Sequence, residues 1–270
     1  MIPFRKMHGL GNDFVVIDNR HGQWSLTTDQ VRLVSDRRFG VGCDQLIIME
    51  AVEGDADLFM RIYNPDGSES GACGNATRCV ASLAMKERGL DQVLIKTRRG
   101  NLHATAAEAG DITVDMGNAL IDWRDVPLSE EMDTLSLPIQ LGSLENPVAV
   151  GMGNPHCVFF VEDADSLPLE KLGPQVEHHP LFPERTNVEL ATIRPNGSIR
   201  LRVWERGAGK TLACGSGACA TLVAAVRRGL SARQAEIELD GGVLKMQWLE
   251  NGHVLMTGAV ATAFIGELDL

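Results

Sequence analysis

Short apolar runs dominate this chain, separated by turns rich in Gly, Asn and Pro, and few stretches carry helical spacing. Residues 1–18 predict a strand, a turn at Gly9-Leu10-Gly11-Asn12, and a second strand over 14–17. Thr27-Thr28-Asp29-Gln30 predicts a capped helix near 28–38 with Val31, Leu33 and Val34 as its apolar stripe. Gly40 and Gly42 precede a strand over 45–49. Another strand, over 58–63, ends at the turn sequence Asn64-Pro65-Asp66-Gly67. Beyond Cys73, the spacing of Cys79, Val80, Leu83 and Ala84 predicts a helix with one buried face, and Gly89 is placed to end it. Three short strands are expected near 91–97, 101–107 and 111–116. The stretch 118–144 has weak periodicity and reads as a connection.

The same order then recurs. Ala72-Cys73-Gly74-Asn75 and Ala213-Cys214-Gly215-Ser216 each open an apolar run that stops at Arg-Gly-Leu, and the two cysteines are 141 positions apart. Residues 148–154 match 6–12 at an offset of 142, Asn187 matches Gln45, and the strand at 199–205 matches 58–64. Gly242 answers Gly100, and Gly258 answers Gly117. This is a tandem duplication with one repeat of roughly 120–140 residues, far longer than a solenoid period. Each half reads as a β-rich α+β unit wrapped around one long helix. Halves of this kind are expected to pack about a pseudo-twofold axis. With the axis between the two long helices, Cys73 and Cys214 would point at one shared volume.

Composition narrows the function. A formal charge of −11 argues against a nucleic-acid surface. No apolar run reaches membrane-spanning length, and the N-terminus lacks the apolar stretch of a secretory leader. Six scattered cysteines (Cys43, Cys73, Cys79, Cys157, Cys214 and Cys219), with no Cys-x-x-Cys spacing, point to a reducing cytoplasm and to no structural metal. Cys43, Cys79, Cys157 and Cys219 read as core residues.

Cys73 and Cys214 carry the chemistry. A helix start offers backbone N–H groups and the positive end of the dipole, which favour thiolate and are expected to lower the cysteine pKa. The N–H groups of Cys73, Gly74 and Asn75, and of Gly215 and Ser216, also form an anion site suited to a carboxylate. One sulfur could then remove the α-proton of an amino acid while the other returns a proton to the opposite face. Charge building on the carboxylate oxygens would be stabilised by preorganised N–H donors, without a cofactor. Three polar residues break the repeat. His156 stands over Phe14, Glu205 over Asn64 and Arg206 over Pro65. His156 and Glu205 are expected to set the protonation of the thiols, and Arg206 to pair with a second substrate carboxylate.

At Lys6-Met7-His8-Gly9-Leu10-Gly11-Asn12-Asp13-Phe14, Tyr63-Asn64-Pro65-Asp66-Gly67-Ser68, Gly71-Ala72-Cys73-Gly74-Asn75, Gly153-Asn154-Pro155-His156, Glu205-Arg206-Gly207-Ala208-Gly209 and Ala213-Cys214-Gly215-Ser216-Gly217, the chain resembles the diaminopimelate epimerase family. The resemblance implies the diaminopimelate epimerase-like fold, with a first half over 1–118 plus 260–270 and a second over 119–259. It implies a cofactor-independent epimerase that interconverts LL- and meso-2,6-diaminoheptanedioate, a step of lysine and peptidoglycan-precursor synthesis. Cys73 and Cys214 are implied as proton donor and acceptor, with His156 and Glu205 tuning them. Substrate contacts are implied for Asn12, Gln45, Asn64, Gly74, Asn75, Asn154, Asn187, Glu205, Arg206, Gly215 and Ser216. A cytoplasmic homodimer with no nucleic-acid or membrane partner completes the expectation. Ala76 stands where the family usually has Gly, Ser216 replaces the commoner Thr, and Phe264 replaces a tyrosine associated with the dimer contact.

Rival readings stay open at this level. A two-cysteine racemase of proline or hydroxyproline has the same acid–base logic, but Asn64, Asn187 and Arg206 would lack a distal group to bind. A thiol redox protein would use Cys73 and Cys214 as a disulfide, although neither has a neighbouring cysteine of the dithiol type. A binding module of the same fold would be expected to have lost a cysteine.

Overall fold

The alternation of apolar positions becomes strand pairing in the computed structural model, which describes residues 1–270. The chain forms two units, Met1–Asp115 with Thr257–Leu270, and Met116–Met256. The first contains β1 (Ile2–Gly9), β2 (Asn12–Asp18), α1 (Thr28–Ser35), β3 (Gln45–Glu50), β4 (Leu58–Tyr63), β5 (Glu69–Ser70) and α2 (Gly74–Arg88). It continues through β6 (Gln92–Thr97), β7 (Gly100–Ala106) and β8 (Ile112–Asn118), and the C-terminal β19 (Ala261–Leu268) returns to pair antiparallel with β1. The second contains β9 (Gln140–Leu141), β10 (Leu144–Glu145), β11 (Val148–Gly151), β12 (Pro155–Phe160), α3 (Leu169–Glu177), β13 (Asn187–Ile193) and β14 (Ile199–Glu205). It ends with β15 (Gly209–Thr211), α4 (Gly215–Arg227), β16 (Gln234–Leu239), β17 (Gly242–Trp248) and β18 (His253–Gly258). This is the α+β architecture expected from the repeat.

The duplication is visible in strand register. In the parallel pair β2–β3, Phe14 lies against Gln45 and Val16 against Ile47. In β12–β13 their equivalents pair in the same way, His156 with Asn187 and Val158 with Glu189. The parallel pairs β4–β6 and β14–β16 match too, with Leu58 against Ile95 and Ile199 against Ile237. Because a one-residue slip would turn every side chain to the wrong face, this agreement fixes which residues share a side of each sheet.

Three departures from the sequence reading have physical causes. Helix α1 stops at Ser35, because Asp36 turns extended and its carboxylate accepts from the Arg38 and Phe39 N–H groups instead. Its capping box of Thr27 and Gln30 forms, but Leu33 is 46 % exposed and Val31 and Val34 alone of the stripe are buried. Helix α3 has no counterpart in the sequence reading; Pro168 caps its start and Pro174 lies inside it, where proline ordinarily works against a helix. The stretch 118–144 is more than a connection: Val126, Leu128, Leu137, Ile139 and Leu144 pack with Cys157, Phe159, Val188 and Leu190 in one core. Helix α2 ends where expected, with Gly89 in the left-handed region at φ 65. No helix is long and apolar enough to cross a membrane.

A loose connection would tolerate truncation, whereas a packed one would not. Leu137 is fully buried and Ile121 is half exposed. Leu137→Ala is expected to lower unfolding stability by about 2–5 kcal/mol. Ile121→Ala should stay within about 0.5 kcal/mol. Urea denaturation of both variants checks the difference.

Candidate active site

Both long helices begin at a cysteine. Cys73 is the N-cap of α2 (φ −151, ψ 111) and Cys214 the N-cap of α4 (φ −120, ψ 109), each in extended backbone that lets its carbonyl start the helix. The Cys73 carbonyl accepts from the Thr77 N–H at 2.9 Å, and that of Cys214 from Ala218 at 3.0 Å.

Around Cys73 the β1–β2 turn supplies Asn12. Its Oδ1 lies 4.0 Å from Cys73 Sγ and accepts from Asn75 Nδ2 at 3.0 Å. Its Nδ2 donates to Asp44 Oδ2 at 2.8 Å, which sets the orientation of the amide. Asp44 is held in turn by Arg37, whose Nη2 is 2.7 Å from Asp44 Oδ1 and 2.6 Å from Asp13 Oδ1. Lys6 also pairs with Asp13. Burial alone would raise the Asp13 pKa, but Arg37 and Lys6 outweigh it and bring it down to about 2. Gln45 and Asn64 form a second pair, with Gln45 Nε2 donating to Asn64 Oδ1 at 3.1 Å and Asn64 Nδ2 to Ser68 Oγ at 3.1 Å. Gly74 opens the helix.

Around Cys214 the contacts form a chain. Gly217 N–H donates to Cys214 Sγ at 3.4 Å, so sulfur acts as the helix-capping acceptor, and Ser216 Oγ is 3.6 Å from it. Asn154 Nδ2 donates to Ser216 Oγ at 3.4 Å, and Asn154 Oδ1 lies 3.1 Å from His156 Nε2. On its other side, His156 Nδ1 is 2.6 Å from Glu189 Oε1, and both side chains are fully buried. Asn187 ties this strand to the loop of Arg206: its Nδ2 donates to the Pro155 carbonyl at 2.8 Å, and its Oδ1 accepts from the Arg206 N–H at 2.9 Å. Arg206 Nη1 donates to the Glu184 carbonyl at 2.9 Å, and Glu205 Oε1 accepts from Thr211 Oγ1 at 2.5 Å. Gly215 opens α4.

Burial reverses the expected thiol chemistry at one position. Cys214 is 5 % exposed. That burial pushes its thiol well above the usual range, and the nearby Glu205 carboxylate acts in the same direction. Ser216 and the Gly217 N–H pull the other way but do not prevail. The helix end therefore moderates a penalty instead of producing a resting thiolate. Cys43, Cys79 and Cys157 are buried as expected and their thiols are raised, Cys79 to about 12. Cys219 is buried too.

Three residues of these clusters escaped the sequence reading. Asp44 orients Asn12, and Glu189 partners His156. Gly217 leaves room for the Glu189 carboxyl beside Cys214 at the helix end, since a Cβ there would lie 2.8 Å from Glu189 Oε1 and 3.3 Å from Cys214 Sγ. The signal for Glu189 was present: it occupies the repeat position of Ile47, as His156 occupies that of Phe14.

Removing the Glu205 charge should let the Cys214 thiol ionise more readily. In Glu205→Gln the pH midpoint of Cys214 alkylation by iodoacetamide, followed by peptide mass spectrometry, is expected to move down. An unmoved midpoint would show that the Glu205 charge does not reach the sulfur.

The sequence profile of the family described as diaminopimelate epimerase matches residues 4–121 and 148–263. A diaminopimelate epimerase of Rhodospirillum centenum is 58 % identical over 98 % of this chain and 92 % of its own, and one of Acidiphilium cryptum is 56 % identical over 99 % and 96 %. Among solved structures, a phenazine biosynthesis protein of the PhzF family from Enterococcus faecalis shares the fold, with a TM-score of 0.75 over 100 % of this chain and 99 % of that one at 16 % identity. These relatives do not favour the imino-acid racemase reading. By profile and by near full-length identity, the chain belongs to the diaminopimelate epimerase family, a family of isomerases.

Proposed function

We propose that this chain interconverts LL- and meso-2,6-diaminoheptanedioate by moving the α-proton between two cysteines. The observation that carries the reading is the repeated one: a cysteine caps a long helix at the same point of each unit. Inversion needs a base and an acid on opposite faces of the α-carbon, and Cys73 and Cys214 are assigned those parts. Cys214, whose burial favours the thiol, is the donor in the first half-reaction, and Cys73 is the base. The C–H electron pair passes toward the carboxylate, and the Cys214 S–H proton returns to carbon on the other side. In the reverse direction the roles exchange.

The α-carbon of an amino acid is a very weak acid, so the developing oxyanion charge decides the rate. Helix geometry leaves the Gly215 and Ser216 N–H groups without an intrahelical acceptor, and the first turn of α2 is assigned the same part with Gly74 and Asn75. Such fixed donors stabilise the transition state more than the ground state. Asn12 and Asn154, which hydrogen-bond Asn75 and Ser216 at the two helix starts, are assigned as polar neighbours of the reacting carboxylate. Gln45, Asn64, Asn187 and Arg206 are assigned to the distal amino-acid head, where a guanidinium pairs with the second carboxylate. His156 and Glu205 tune the thiols. No cofactor or metal enters this scheme.

The six free cysteines support a reducing, cytoplasmic location. A second copy of the chain is the partner assigned to β19, where Phe264 is 50 % and Ile265 69 % exposed at successive positions of the strand.

Incubation of cofactor-free protein with LL-diaminopimelate in deuterated water should yield meso product labelled at the α-carbon. Cys73→Ala and Cys214→Ala should each abolish turnover in both directions, and activity retained in both would remove the two-base reading. Light scattering should give twice the chain mass, falling to the monomer in Ile265→Asp; a monomeric native protein would remove the dimer.

A further inference from the structure

Glu189 lies in the middle of β13, between Val188 and Leu190, with its side chain fully buried. Its register against Val158 and Val203 puts it on the sheet face opposite to the Cys157–Phe159 core, and Gly217 of α4 lies over its carboxyl. Oε1 meets His156 Nδ1 at 2.6 Å, whereas Oε2 has no hydrogen-bond partner.

With Asn154 Nδ2 donating to Ser216 Oγ, the amide oxygen faces the imidazole, and the protons along the chain follow from that orientation. A carboxamide oxygen only accepts, so His156 Nε2, 3.1 Å from Asn154 Oδ1, carries a hydrogen. The short Nδ1–Oε1 contact then holds one further proton, either on the imidazole or on the carboxyl. The partnerless Oε2 decides between them. An ionised carboxylate would put half its charge on a buried oxygen with no donor, whereas the neutral acid leaves there only a carbonyl-like oxygen.

We propose that Glu189 is a positioning residue that stays the neutral acid and donates to His156 Nδ1. It thereby holds the imidazole neutral, with its hydrogen on Nε2 and directed through Asn154 and Ser216 toward Cys214. The inference rests on the reading of Cys214 as an acid–base residue. Burial, the largest influence on the Glu189 carboxyl, raises its pKa in keeping with this state and outweighs His156 and the Cys157 N–H, which pull it down. The groups that face it are His156 and the Cys157 backbone from β12, Glu205 from β14, and Cys214 at the head of α4. With the pair neutral, Glu205 is the charge that acts on Cys214. At the same register the first unit has Phe14 and Ile47, so the device exists beside Cys214 alone.

The first test needs no substrate. In protein with 15N-labelled histidine, the His156 signal, assigned by its loss in His156→Phe, should show the neutral Nε2–H tautomer at the assay pH. An imidazolium, or a proton on Nδ1 alone, would overturn the proposal. The second test compares two variants. Glu189→Gln still donates to Nδ1 and should keep the tautomer, the KM and most of kcat. Glu189→Leu cannot donate, and should lower kcat by about 100-fold or more. Loss of kcat in Glu189→Gln equal to that in Glu189→Leu would mean that the ionised form is the working one, and the proposal would fail. Should Glu189→Leu not fold, the wild-type and Gln spectra still decide. Turnover in Cys214→Ala, with the tautomer as expected, would remove the functional reading while leaving the His–Glu pair intact.

Discussion

Sulfur at the head of a helix is the constraint on which the rest of the molecule depends. A helix start carries N–H groups and partial positive charge that have to be met by something, and here they meet a thiol. In α4 the match is direct, because Gly217 N–H donates to Cys214 Sγ. Yet a thiol buried well enough to be water-free is also a thiol that resists ionisation, and desolvation wins at Cys214. The surrounding polar network exists within that tension. It has to position and moderate the sulfur without flooding it with charge.

The two units meet this demand with the same scaffold and different side chains. Parallel pairing of β2 with β3, and of β12 with β13, puts equivalent positions under equivalent helices. In the first unit those positions are Phe14 and Ile47, and the polar work falls to Asn12, held by Asp44 and the Arg37–Asp13–Lys6 ion pairs at the turn. In the second they are His156 and Glu189, two titratable groups inside the sheet layer. Burying a carboxyl and an imidazole is costly unless each serves the other, and their 2.6 Å contact supplies that compensation. Gly217 is the third element of the arrangement, because any side chain there would displace the carboxyl from the helix head.

Some of this was legible along the chain. The offset of 141–142 residues, the two cysteines at helix starts, the Asn64-Pro65-Asp66-Gly67 turn and the stop at Gly89 all rest on local chemistry that a sequence displays directly. His156 was legible for a related reason, since a polar residue over Phe14 breaks a visible repeat. Glu189 broke the same repeat over Ile47, yet a single charge in a Val-Glu-Leu run attracts attention only once the strand is known to be buried on both faces. Asp44 carried even less signal, because its partners Asn12 and Arg37 meet it through turns and not through period.

The duplication, the α+β class and the two cysteines at helix starts are readable from spacing, turn residues and helix ends alone. The state of the sulfur and the packing of the 118–144 stretch come from the folded chain. Both are consequences of burial, and burial belongs to the neighbours a residue acquires from distant parts of the chain. Leu137 becomes core because Phe159 and Leu190 lie against the same cluster. Cys214 stays a thiol because the fold buries it and brings the Glu205 carboxylate near.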